Sequence, residues 1–411
     1  MSRKAGKKGA KPKIEDDDDD QMAFLLAAAA KNNAKKEEEA KKVLIPDEVF
    51  KDLPEPPLKL HPDGNFGERC IQKYSDEMLA KVTVDTSAEE RLAELKEALP
   101  SFREAGIIHQ SVCEWAMRSE IIKPGVNLND MCARIEEGVR RMVEFNPPVR
   151  GLAFPCGCSI NNCAAHYSPL PGDTRVLQKD DVMKIDFGVA INGYIIDSAF
   201  TACFDPRFDP LIEASKQATE TAVKMAGPEA RISEIAAQIE EVITSYSIEL
   251  NGKTIPLKPV YNLTGHQLGK YIIHCGKSIP LTNRSHTTDK MLPGEVYACE
   301  TFATTGKGIV FDDGITSHFM TVKQPPTPKS GSEQKLLTLL QDNFKTMAFC
   351  QRFIERAGDR TYSLTLNELI KNKIVKPYPP LSDVEGSYVS QHEHTYALFE
   401  DHKEVFSKPF M

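Results

Sequence analysis

Apolar positions divide the chain into a sparse head and a long patterned body. Up to about residue 50, blocks of one charge alternate: MSRKAGKKGAKPK, five aspartates from Asp16 to Asp20, then KKEEEAKK. This head has too little apolar surface to offset its chain entropy, which predicts a disordered extension over 1–50. Within it, Gln21 to Lys42 is a candidate transient helix, with acids ahead of it and lysines at its end, as a helix dipole favours. Pro and Gly then dominate LPEPPLKLHPDGNFG at 52–66, an extended linker that leads into a first helix within 51–100. Helical periodicity starts at SAEERLAELKEAL, with Ser87 as the cap candidate and Leu92, Leu95 and Leu99 along one side. The same pattern predicts helices over 101–121, 127–145, 209–226 and 231–246. Strand-like runs occupy 181–203, GEVYACETFAT (294–304) and HEHTYALF, and KLLTLLQDNFKTMAFCQRFIERA (335–357) reads as helix. Helix pairs and strands recur in both halves without a short-period repeat. The plan is α+β.

Composition narrows the function classes. The chain has 411 residues, 41% of them hydrophobic, enough for a sizeable core in one large domain or two ordinary ones. A net charge of −8 gives the body no reason to bind nucleic acid. The apolar run AFLLAAAA, Ala23 to Ala30, is far shorter than the roughly 20 residues that span a bilayer. It also lacks the flanks of a signal peptide, so a soluble, cytoplasmic chain is expected. Ten scattered cysteines fit reduced thiols in that compartment. Cys156 and Cys158 form a lone CxC, weak evidence for zinc.

The run MKIDFGVAINGYIIDSAFT, residues 183–201, places one aspartate in each arm of a predicted hairpin. A two-residue turn at Asn192-Gly193 sets Ile191 opposite Tyr194. Asp186 then faces Ala199, with Asp197 two residues along on the same face. Diagonal neighbours of this kind lie about 7–8 Å apart, close enough to share an ion. Two carboxylates among apolar neighbours repel each other and lose hydration, so a positive partner is required. Lys184, on the same face, offers an ion pair. A divalent metal is the sharper reading. His266 between two glycines in NLTGHQLG, Glu300 in VYACETFA and Glu393 in QHEHTYALF are further candidates, each an unexpected polar group in an apolar or glycine-rich setting. His166 and His274 are suited to bind substrate or move protons beside such a site. His392 and His394 flank Glu393 and point to the other face of its strand. They are not expected to be ligands.

From about residue 100 onward the chain resembles the type 2 methionine aminopeptidases of eukaryotes. The matching runs are GLAFPCGCSINNCAAHYSP, KIDFG with IIDSAFT, NLTGHQLGKYIIHCGK, GEVYACETFATTGKG and KPYPPLSDVEGSYVSQHEHT. The resemblance implies a pita-bread fold: two pseudo-symmetric α+β halves around a curved antiparallel sheet, over 101–411, with a helical insertion at about 321–378. It implies two divalent metal ions (Co, Mn, Fe or Zn) held by Asp186, Asp197, His266, Glu300 and Glu393. His166, His274 and Glu300 take the catalytic roles, and Phe154, Leu263, Ile273, His318, Ala348 and Tyr378 line the methionine pocket. The activity it implies is cotranslational, metal-assisted hydrolysis that removes the first methionine of a nascent chain when a small residue follows. The expected protein is a monomer without membrane association, whose charged tail contacts the ribosome or an initiation factor. Thr264 and His392 stand where animal relatives have Asn and Phe, and the tail is shorter than theirs. A non-catalytic binding protein of the same fold and a proline-directed peptidase are the competing readings. The full ligand set argues against the first; NNCAAHYSP and the insertion argue against the second.

Overall fold

The computed structural model describes residues 45–284 and 286–408. The expectations for residues 1–44 lie outside the described residues. The described residues from Asp52 onward form one compact unit, and Asp47–Phe50, outside that unit, is a 3-10 turn.

The first half of the larger unit carries helices α1 (Thr86–Arg118) and α2 (Leu128–Met142), then strands β1 (Arg150–Ile160), β2 (Met183–Ile191) and β3 (Tyr194–Ala202). The second half carries α3 (Asp209–Met225), α4 (Ile232–Thr244), β4 (Thr264–Gly269), β5 (Ile272–Pro280) and β6 (Val296–Thr304). There follow β7 (His318–Thr321), helix α5 (Gly331–Phe344), β8 (Val375–Tyr378), β9 (Val389–Leu398) and β10 (His402–Val405). Strands β1, β2 and β3 form one antiparallel sheet, covered by α1 and α2. The larger sheet runs Cys70–Lys73, β10, β9, β6, β4, β5, and α3 covers β6 and β9. Both halves therefore lay helices over antiparallel strands, the expected α+β pita-bread plan. Among the described residues no helix is long and apolar enough to cross a membrane.

Two helix predictions merge. What reads as separate helices on either side of Pro100 is the single helix α1, with Pro100 inside it. It starts at Asp85 rather than Ser87, because the Asp85 carboxylate accepts the Ala88 N–H at 2.8 Å and satisfies an end-of-helix donor. Another prediction splits. The run 335–357 breaks at Lys345, whose φ is 53°, and Ala348–Phe349 pairs with β7 before a short helix at Gln351–Arg356. That short helix carries Arg352, which donates to Glu136 of α2 at 2.5 Å, while Arg356 donates to the same carboxylate at 3.0 Å. The Glu136 carboxylate also accepts the Cys156 N–H of β1, so one buried acid ties the insertion, α2 and β1 together. Cys156 and Cys158 are fully buried against Cys132 of α2 and belong to this core.

The hairpin that carries the two aspartates has the expected register. Ile191 pairs with Tyr194, Asp186 with Ala199, and Gly188 with Asp197. Asn192 and Gly193 take φ of 53° and 83°, the left-handed pair that a twisted two-residue turn needs. A Cβ on Gly193 would also run into the Tyr271 ring. Gly193→Ala therefore lowers unfolding stability by about 1–2 kcal/mol from backbone strain alone, with the ring clash adding to it. Chemical denaturation of the metal-free protein checks this, and an unchanged midpoint would contradict it.

Candidate metal centre and substrate pocket

The two sheets meet along a seam made by side chains. Thr395 of β9 accepts the Asp197 N–H at 2.9 Å through its hydroxyl and donates back to the Asp197 carbonyl at 2.6 Å. Ser198 donates to the Glu393 carbonyl at 2.7 Å, and Thr201 donates to the Gln391 carbonyl at 2.8 Å. Short hydroxyl side chains thus lock β3 against β9, which fixes Asp197 relative to Glu393. Within the larger sheet Glu300 pairs directly with Glu393, and Ala298 with His266. Gly265 lets β4 press on the β6 backbone: a Cβ there would sit 3.0 Å from the Ala298 carbonyl oxygen. The glycine before His266 therefore serves the close packing of β4 on β6.

All five predicted acid and imidazole groups, Asp186, Asp197, His266, Glu300 and Glu393, line one cavity of about 90 Å³. Ligand atoms of Asp197, His266 and Glu393 lie within 4.8 Å of one another, and His266 Nε2 is 3.7 Å from Asp197 Oδ2. His166 and His274 line the same cavity, as do the predicted apolar wall residues Phe154, Leu263, Ile273, His318, Ala348 and Tyr378. The wall depends on the insertion: His318 pairs with Tyr378 across β7 and β8, and Met320 pairs with Ala348. His166 has φ of 65°, a left-handed conformation uncommon for a side chain of this size. Its carbonyl is held by the Ser317 hydroxyl at 3.2 Å, and its ring lies edge-on to Tyr378 at 6.0 Å. The His274 ring is 4.1 Å from that of His266, at the open side of the cavity.

Lys184 does not serve as the positive partner of the hairpin acids. Its Nζ donates to the carbonyls of Asn161 at 2.9 Å and Val182 at 3.2 Å, and burial lowers its pKa to about 7. Among the described residues no lysine or arginine lines the cavity. Burial therefore raises the Asp186 pKa to about 7. Burial and the neighbouring carboxylates hold Asp197, Glu300 and Glu393 well above the usual carboxylate range. Burial, reinforced by the His274 ring, keeps His266 neutral.

One functional residue escaped the sequence reading. The Gln391 amide donates to Asp186 Oδ2 at 3.1 Å and to Glu300 Oε2 at 2.9 Å, fastening acids from both halves. Its signal was its position two residues before Glu393, which puts it on the same face of β9. Thr264 pairs with Pro280 across β4 and β5 and is not among the cavity-lining residues. His392 and His394 point away from the cavity, as alternation along a strand requires.

The donor set fits divalent metal. Asp186 Oδ1, Glu393 Oε2 and Gln391 Oε1 are buried without a hydrogen-bond partner among the described residues. Buried acceptors left this way are costly, and carboxylates with one neutral imidazole are hard-to-borderline ligands. The pH consequence has a definite sign. In the metal-free fold the raised acids favour the protonated form, so the stabilisation they gain is present at low pH. It is lost as pH rises through their folded pKa, about 7 for Asp186. Metal must displace those protons, so the increase in melting temperature produced by saturating Mn²⁺ is larger at pH 7.5 than at pH 5.5. Paired thermal scans with Mn²⁺ and with chelator at each pH measure it; an equal increment would contradict this account.

Residues 100–322 match the model of metallopeptidase family M24. The chain is 45% identical over 357 residues to methionine aminopeptidase 2A of Arabidopsis thaliana, covering 86% of this chain and 80% of that one. It is 44% identical to methionine aminopeptidase 2 of Schizophyllum commune, covering 85% and 83%. Among solved structures, a thermophilic Arx1 superposes with a TM-score of 0.65 at 18% identity, covering 80% of this chain and 92% of that one. Methionine aminopeptidase from Rickettsia prowazekii gives a TM-score of 0.51 at 15% identity, covering 82% and 100%. Both structural likenesses speak to the fold alone.

Proposed function

This chain belongs to metallopeptidase family M24, in its methionine aminopeptidase 2 branch, and from that membership we propose how its cavity works. The chain is a metallo-aminopeptidase that removes N-terminal methionine by metal-dependent hydrolysis. The observation that carries the reading of the site is the convergence of four acids and His266 beside an apolar pocket.

In the proposed arrangement Asp186, Asp197, His266, Glu300 and Glu393 hold two divalent ions. Mn, Fe, Co and Zn all accept such donors. When bound, the metal supplies Lewis acidity, polarising a carbonyl and lowering the pKa of water. The apolar wall of Phe154, Leu263, Ile273, Ala348 and Tyr378, with His318, takes the unbranched thioether of methionine. The free α-amine faces the acids, which ties cleavage to the chain terminus. His274, at the open side, donates a hydrogen bond to the carbonyl oxygen as charge develops on it. Glu300, already accepting from Gln391, takes a proton from the water whose oxygen bonds the carbonyl carbon and passes it to the amide nitrogen that departs as the C–N bond breaks. His166 lies beside that nitrogen and orients it, its backbone fixed by Ser317.

A small second residue such as Gly, Ala, Ser, Thr or Val is the proposed preference, because His166, His318 and Tyr378 crowd one wall of the cavity. The proposed substrates are nascent chains met during translation in the cytoplasm. The charged N-terminal segment is proposed to contact the ribosome or an initiation factor.

Asp197→Asn lowers kcat/KM for methionine release from Met-Ala-Ser by at least about 100-fold, since even supporting residues around metals cost 10–100-fold. Assays with Mn²⁺ and Co²⁺, run alongside an Xaa-Pro peptide, test both the site and the specificity. Unchanged release by the variant, or preferred cleavage of the Xaa-Pro peptide, would overturn the proposal. His166→Ala retains metal binding but lowers kcat, measured as metal content and turnover on the same sample.

A further inference from the structure

On the face of β9 that turns away from the cavity, a second set of ligating groups comes together. His392 and His394, two residues apart, direct both imidazoles toward Glu220 of α3, and one ligand atom from each lies within 4.8 Å of the others. The two rings are 5.0 Å apart and perpendicular, so they approach a common point from different directions. The backbone is already braced, because the Thr219 hydroxyl donates to the His392 carbonyl at 2.7 Å.

The remaining valences are arranged around this point. Glu220 Oε2 is engaged by Lys408, which leaves Oε1 facing His394 Nε2 at 3.3 Å. His394 Nδ1 lies 2.8 Å from the Ser407 hydroxyl, which can accept an Nδ1–H in the tautomer whose Nε2 lone pair is free for a cation. The His392 ring makes no hydrogen bond to another described residue, although it is partly buried. A purely structural Glu220–His394 pair gives it no role.

We infer that Glu220, His392 and His394 form a binding site for a borderline first-row divalent cation of the zinc class, separate from the catalytic cluster. Two imidazoles and one carboxylate are a zinc-type donor set, with bond lengths of about 2.0–2.2 Å that draw the three side chains slightly inward. Binding moves the His394 proton from Nε2 to Nδ1, or releases it if both nitrogens carry one, and leaves the Lys408 contact on the other carboxylate oxygen. Lys216 and Lys408 stand nearby and oppose the cation, so this site is weaker than the acid-rich cluster. Occupied, it clamps α3 to the strand whose opposite face carries Glu393.

The site is independent of the peptidase reading, and its test separates the two. The full-length chain is equilibrated with Zn²⁺, and bound metal is counted by elemental analysis for the wild type, Glu220→Gln, His392→Phe and Asp197→Asn. Glu220→Gln and His392→Phe each lose one zinc equivalent relative to the wild type, with Mn²⁺-supported peptide hydrolysis within about twofold. Asp197→Asn retains that equivalent. Anomalous diffraction at the zinc edge places a peak among the three side chains. Equal zinc content in the wild type and both outer-face variants, or no peak there, would overturn the inference. Circular dichroism of each variant verifies folding, and Glu220→Gln, a near-isosteric change on a helix, keeps the test open should His392→Phe misfold.

Discussion

Four carboxyl groups share one cleft, and among the described residues no lysine or arginine lines it. Burial strips each of hydration, and the charge of Asp186 further raises Asp197, Glu300 and Glu393, so without compensation the arrangement opposes folding. Divalent metal turns that repulsion into ligation. The rest of the molecule can be understood as what is needed to hold repelling groups at coordination distance until an ion arrives. The orphaned oxygens of Asp186 and Glu393 are the residue of this conflict, and Gln391 is its partial remedy. A neutral amide can donate to Asp186 and Glu300 at once without adding a charge that would exclude metal, which Lys or Arg at that position would do.

The architecture distributes this strain over both halves. Asp186 and Asp197 come from a local hairpin, whereas His266, Glu300 and Glu393 come from neighbouring strands of another sheet. The groups therefore meet only if the sheets are joined accurately. The join is made by Thr395, Ser198 and Thr201, whose hydroxyls bond to backbone on the opposite strand. Such bonds have short, stiff side chains and leave little room for slippage. The apolar wall is placed by a different device, the buried Glu136 carboxylate with Arg352 and Arg356, which anchors the insertion that supplies Ala348 and Tyr378. Chemistry and specificity rest on separate supports.

How much of this the sequence made legible follows from the range of each interaction. The hairpin register was readable because Asn192-Gly193 is a local signal with one favoured turn, and alternation then assigns every side chain to a face. The ligand types were readable because an acid in an apolar strand is anomalous wherever it occurs. Their convergence was not derivable from spacing: Glu300 meets Glu393 through a pairing that spans many intervening residues, and only resemblance to a known family implied it. Gln391 was overlooked because glutamine in a strand is unremarkable until its two acceptors are seen. Lys184 misled for the converse reason: parity put it on the face of Asp186, but two backbone carbonyls claimed its ammonium group. The helix break at Lys345 was missed because strand pairing of Ala348–Phe349 overrode local propensity there, while at Pro100 the helix simply continues through the proline.

Strand β9 concentrates these lessons. Its inward residues, Gln391 and Glu393, serve the acid-rich cleft, while the residues between and beyond them, His392 and His394, meet Glu220 on the helix layer. Period-two alternation makes the two faces chemically independent, so a His on the outer face can be gained without altering an inner ligand. They remain mechanically dependent, because any force that draws His392 and His394 toward α3 acts on the backbone that positions Glu393. The Thr219 bond to the His392 carbonyl already couples that backbone to the helix. Because that bond already holds the strand, filling or emptying the outer face leaves the position of Glu393 little changed.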